Sequence, residues 1–119
     1  MRLRLRLVSA TTLYFIAAQI AHAHAILVDS TPANNQTIVE TSLPVELHFN
    51  SRIDGKHSRL WLVKPNDEEV ILPLVDSAPP NTLKTDALNL EPGAYRLRWQ
   101  VLSVDGHITR GEIPFRMRR

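Results

Sequence analysis

Tyr95-Arg96-Leu97-Arg98-Trp99-Gln100-Val101 alternates apolar and polar side chains at every step. Tyr95, Leu97, Trp99 and Val101 fall on one face and Arg96, Arg98 and Gln100 on the other, which is the period of a half-buried β-strand. The two aromatic rings lie on the apolar face and therefore read as core. Glu91-Pro92-Gly93 launches this strand with a turn in which proline presets φ and glycine tolerates positive φ. Its far end delivers Ser103-Val104-Asp105-Gly106-His107.

Outward from that strand the same pattern recurs. A last strand is expected from about Thr109 to Met117, with Ile113 and Phe115 on one face. Upstream, Val45, Leu47 and Phe49 alternate with Glu46, His48 and Asn50. Arg59 to Val63 reads as a further strand, turned by Pro65-Asn66-Asp67 toward another over Val70 to Val75, so Lys64 to Glu69 is a hairpin connection. Ser77-Ala78-Pro79-Pro80-Asn81 is a loop, because two prolines remove backbone donors. No segment sustains a helical period, and short strands separated by turn signals predict an all-β sandwich. His48, on a polar strand face, and His57, in a turn-like stretch, read as surface histidines. Trp61 is out of phase with Leu60 and Leu62, at an edge or against a partner. Asp67-Glu68-Glu69 reads as a solvated turn.

Residues 1–23 carry a different pattern. Arg2, Arg4 and Arg6 precede an apolar segment from Leu7 to Ile20, and Ala21-His22-Ala23 has the small-x-small form of a signal-peptidase site. The apolar segment falls short of the roughly 20 residues of a spanning helix, so a cleaved export signal is expected over 1–23 and one domain over 24–119. Its three arginines account for the net charge of +2; without them eleven basic residues face twelve acidic ones. Nucleic-acid binding, which needs a clustered basic surplus, is not expected. The chain has no cysteine, which excludes disulfides, thiolate metal sites and a cysteine nucleophile.

Cleavage after Ala23 would make His24 the first residue. A terminal histidine offers its amine and a ring nitrogen to one metal ion as a chelate, and Asp105 and His107 add a carboxylate oxygen and a second imidazole. Three nitrogens and one oxygen suit tetragonal Cu(II) or Ni(II), with copper first in the Irving–Williams order. The amine titrates near 7.7–8.0 in model compounds and binds only when deprotonated, so capture should weaken as pH falls. The opposing reading is that Asp105-Gly106 is an ordinary turn. Ala23-His24-Ala25 is also small-x-small, and cleavage after Ala25 would start the chain at Ile26 and remove the chelate.

His24-Ala25, Ser30-Thr31-Pro32-Ala33-Asn34, Leu47-His48-Phe49, Pro92-Gly93-x-Tyr95 and Trp99-x-Val101-x-Ser103-Val104-Asp105-Gly106-His107-x-Thr109-x-Gly111 occur in this order across residues 24–119. In these motifs the chain resembles the CopC family of periplasmic copper resistance proteins. The resemblance implies a single Greek-key β-sandwich or barrel of the cupredoxin-like or immunoglobulin-like kind, exported to the periplasm. It also implies one Cu(II) per chain held by His24, Asp105 and His107 without catalysis, in a monomer handing copper to an inner-membrane transporter of the CopD type. Two departures stand out. Met117 is the only methionine after residue 23, so the thioether Cu(I) site of many relatives cannot be assembled. Where relatives often carry Phe-Ser-Glu, this chain has Phe49-Asn50-Ser51-Arg52, without the glutamate. The alternatives are a small histidine-brace copper monooxygenase and a sandwich interaction module without metal.

Overall fold

The computed structural model describes residues 24–119, and the expected export signal lies outside the described residues. Eight strands follow one another: β1 Leu27–Thr31, β2 Gln36–Ile38, β3 Ser42–Phe49, β4 Ile53–Val63, β5 Glu69–Ile71, β6 Thr82–Asn89, β7 Gly93–Ser103 and β8 Ile108–Met117. They form a three-stranded sheet in the order β1-β3-β6 and a five-stranded sheet in the order β2-β8-β7-β4-β5. The expectation of an all-β fold is thereby met.

The strand that opened the sequence reading is the centre of the larger sheet. β7 pairs antiparallel with β8 from Gly93↔Met117 to Leu102↔Ile108, and with β4 on its other side. Tyr95, Leu97, Trp99, Val101 and Ser103 are buried while the residues between them are not, as a period of two requires. Val45, Leu47 and Phe49 of β3 face them from the smaller sheet, and one core cluster takes side chains from both. Phe49 and Trp99 meet edge to face across it, with centroids 5.2 Å apart and planes at 71°, a favoured aromatic arrangement. Tyr95 stacks on Phe115 and donates its hydroxyl to the Glu91 carbonyl at 2.7 Å, which ties the Glu91-Pro92-Gly93 turn to the strand that follows.

Gly111 lies opposite Trp99 in the β7–β8 ladder, and a Cβ there would overlap the indole ring. The bare backbone lets the largest core side chain lie across the neighbouring strand.

Three elements differ from expectation. The Arg59–Val63 strand reaches back to Ile53 because Ser58, fully buried, bridges the irregular register between Asp54 and Arg59. Its hydroxyl donates to the Asp54 carbonyl at 2.7 Å and accepts from the Leu102 N–H at 3.2 Å. The strand expected over Val70–Val75 stops at Ile71. Leu72 still donates to the Leu60 carbonyl, but Pro73 has no N–H to continue the ladder, and Val75 already bonds Lys84 of the other sheet. β6 was not anticipated, since Thr82, Lys84, Thr85 and Asp86 dilute its apolar signal to little beyond Leu83 and Leu88.

His48 and His57 both reach the surface as read, but His57 lies within β4 and not in a turn. His57 Nδ1 lies 2.8 Å from Asp54 Oδ2. His48 bridges Asp29 on β1 and Glu46 on its own strand, each at 3.1 Å. Only an imidazolium donates from both ring nitrogens. The Asp29 carboxylate, aided by Glu46, raises the His48 pKa above its ordinary 6.5, and Lys84 with His48 lowers that of Glu46 below its ordinary 4.5. Trp61 carries the Arg98 guanidinium over its ring at 5.8 Å, so its outward face is covered from within the chain.

Two outcomes follow. Gly111→Ala should destabilise the fold by about 1–3 kcal/mol, the usual cost of overpacking, read by chemical denaturation together with a changed Trp99 near-UV signal. The His48 bridge should contribute fully above pH 4.5 and below pH 6.5, fading as pH rises through the raised imidazole pKa or falls through the lowered carboxylate pKa. The difference in melting temperature between wild type and His48→Ala should therefore peak in that window; a difference independent of pH would contradict the bridge.

Candidate metal centre

The β7–β8 connection is a tight loop closed by backbone bonds from the Ser103 N–H to the His107 carbonyl at 2.8 Å and from the Gly106 N–H to the Ser103 carbonyl at 2.9 Å. Gly106 adopts φ +89°, a conformation that other L-residues rarely take. Ser103, 2% exposed, sits beneath the loop as a polar hub. Its hydroxyl donates to Asp105 Oδ1 and accepts from the His107 N–H at 3.2 Å. Asp105 Oδ2 lies 3.0 Å from His107 Nδ1. The Ser103 hydroxyl first, and His107 after it, hold the Asp105 carboxyl well below the ordinary carboxylate range, down to about 2. An anionic oxygen is therefore present at this loop at any physiological pH, and the histidine beside it is oriented by that anion. Paired carboxylate and imidazole in this arrangement are a common support for a coordinated metal.

The other end of the described chain comes to the same place. Ala25 is fully buried, and its carbonyl accepts from Thr109 Oγ1 at 3.1 Å across 84 residues of sequence. The Ile26 N–H donates to Asn50 Oδ1 at 2.8 Å, and the Asn50 N–H donates back to the Ile26 carbonyl at 2.9 Å. With Ala25 inward and His24 and Ile26 exposed on either side, His24 is carried to the loop. Its ring meets that of His107 edge to face, with centroids 5.0 Å apart. His107 thus touches both of its expected companions. No group of three His, Asp or Glu side chains among the described residues already stands in ligating geometry. A cavity of about 550 Å³ between β2, the β4–β5 turn and the starts and ends of β7 and β8 shares no residue with this group.

Ser103, Thr109 and Asn50 hold the site together, and their roles were not read from the sequence. Ser103 and Thr109 stood inside the quoted motif, so their position was marked although their function was not. Asn50 was noted on the polar face of its strand and for standing in a stretch that departs from the family, without a role in the site.

These features describe a small all-β domain that gathers imidazole and carboxylate side chains at one end. A family model for the CopC domain matches residues 27–118. Copper resistance protein C of Xanthomonas campestris pv. juglandis is 32% identical over 89% of this chain and 92% of its own. Copper transport protein CutJ of Bacillus subtilis is 30% identical over 78% of this chain, which corresponds to 18% of its own length. Among solved structures, CopC from Methylosinus trichosporium OB3b superposes with a TM-score of 0.68 at 26% identity, covering 79% of this chain and 93% of that one. The chain belongs to the CopC family: it is a periplasmic copper-binding protein of copper homeostasis and not an enzyme.

Ser103→Ala should release the Asp105 carboxyl toward its ordinary 3.8, observable by NMR titration. Because the His107 N–H keeps Asp105 Oδ1 as an acceptor at 3.3 Å, the lost hydroxyl should cost only about 0.5–1.5 kcal/mol in thermal or chemical unfolding. An unmoved carboxyl titration would remove Ser103 from the site.

Proposed function

We propose that export ends with cleavage after Ala23, and that the domain 24–119 then holds one Cu(II) through the amine and imidazole of His24, the imidazole of His107 and the carboxylate of Asp105. The observation that carries this reading is the His24–His107 ring contact beside the Asp105–His107 pair. Three nitrogens and an anionic oxygen suit the geometric preference of Cu(II). Met117 is buried in the core, 5% exposed, and the chain has no cysteine, so soft donors for Cu(I) are absent from the described surface. A Cu(II)-only carrier is the function this donor set fits.

The two sheets, which share one core, fit the faces of a Greek-key β-sandwich with the metal at one open end. The domain acts as a monomer that keeps Cu(II) bound in the periplasm and passes it to an inner-membrane copper transporter of the CopD type. Support for that partner comes from CutJ, in which a domain similar to this chain is one part of a much longer copper transport protein.

The test is the intact mass and Cu(II) affinity of the exported protein. It should begin at His24 and take up one copper ion, with three nitrogens counted by electron paramagnetic resonance. His24→Ala, His107→Ala and a single glycine added before His24 should each weaken binding by about 100-fold or more, given that even changes outside the ligand shell cost about 10–100-fold. A mature start at Ile26, or full binding by the glycine-extended form, would sink the proposal.

A further inference from the structure

Asn50 forms a two-bond ring with Ile26, its side-chain Oδ1 accepting the Ile26 N–H at 2.8 Å and its own N–H meeting the Ile26 carbonyl at 2.9 Å. The carboxamide oxygen stands in for a backbone carbonyl and extends the β1–β3 pairing one step past its last ladder pair, Leu27↔Phe49, toward His24. The residue making this clamp is itself held fast. Phe49, immediately before it, is 2% exposed, donates its N–H to the Asn81 carbonyl at 2.9 Å and accepts from Asn81 Nδ2 at 3.2 Å. Ile53, just beyond, donates to the Pro80 carbonyl at 2.9 Å. Asn50 is thus fixed to the frame on both sides, whereas residues 24–26 are the end of the folded domain, where chains fray unless tied down.

We propose that Asn50 is a positioning residue for copper capture: by holding Ile26 it fixes the direction in which His24 reaches His107, so the amine and ring need little further ordering when the ion arrives. The inference rests on the assignment of His24 as a ligand made above. Ordering a mobile segment at the moment of binding subtracts from affinity, and doing so beforehand returns it. Thr109 secures Ala25 through a bond to its carbonyl, and the Asn50–Ile26 ring adds a second attachment one residue further on. In this chain the position after Phe49 therefore serves the metal through the backbone, with no carboxylate of its own.

The experiment compares wild type, Asn50→Ala, Asn50→Asp and His24→Ala, each as the secreted protein beginning at residue 24. Asn50→Ala keeps the backbone half of the ring and loses the side-chain half. It should bind Cu(II) about three- to tenfold more weakly, the loss expected for one hydrogen bond. Its resonance spectrum should become a mixture of three- and two-nitrogen species, and the Ile26 amide should exchange faster while the core amides keep their protection. Asn50→Asp, whose carboxylate also accepts the Ile26 N–H, should restore both the spectrum and the Ile26 protection. Wild-type affinity and a single three-nitrogen spectrum in Asn50→Ala, alongside lost binding in His24→Ala, would refute the clamp while leaving the ligand assignment intact. Unchanged binding in His24→Ala would overturn the ligand assignment itself and the clamp with it.

Discussion

The bond from Thr109 Oγ1 to the carbonyl of Ala25 joins residues 84 apart and holds the start of the described chain against its last strand. Ala25 is small enough to be wholly buried there, which turns the residues on either side outward. The consequence is positional. His24 lies beside His107, and the backbone next to it is bonded into the fold.

The opposite half of the site is rigid for a different reason. Ser103 is the last inward residue of β7, so its hydroxyl is delivered beneath the loop by the same alternation that buries Trp99 and Val101. There it polarises Asp105, and Asp105 in turn orients His107. The core and the site are therefore continuous along one strand. Gly111, by yielding its side-chain space to Trp99, keeps β8 close to that strand and places Thr109 where it meets Ala25. Within the smaller sheet, Asp29 of β1 shares His48 with Glu46 of β3 and so ties those two strands together.

The amino-acid sequence by itself determined the all-β class, the central strand and its buried face and the turn before it, and it marked His24, Asp105 and His107 as candidate ligands. Each of these is written locally, in a period of two, in turn residues or in a short motif. The strand over Thr82–Asn89 was not legible, because its threonines and charged residues carry no clear alternation and its burial depends on a neighbour in another part of the chain. The end of β5 was misplaced because the crossing of residues 72–75 to the other sheet is set by distant partners, Leu60 and Lys84. Only the tertiary structure decided that His24 lies against the β7–β8 loop, and that Asn50, Ser103 and Thr109 bond the backbone on its two sides. Those three act through single hydrogen bonds to residues far away in sequence or to the backbone of a loop, and such bonds leave no periodic trace in the chain that forms them.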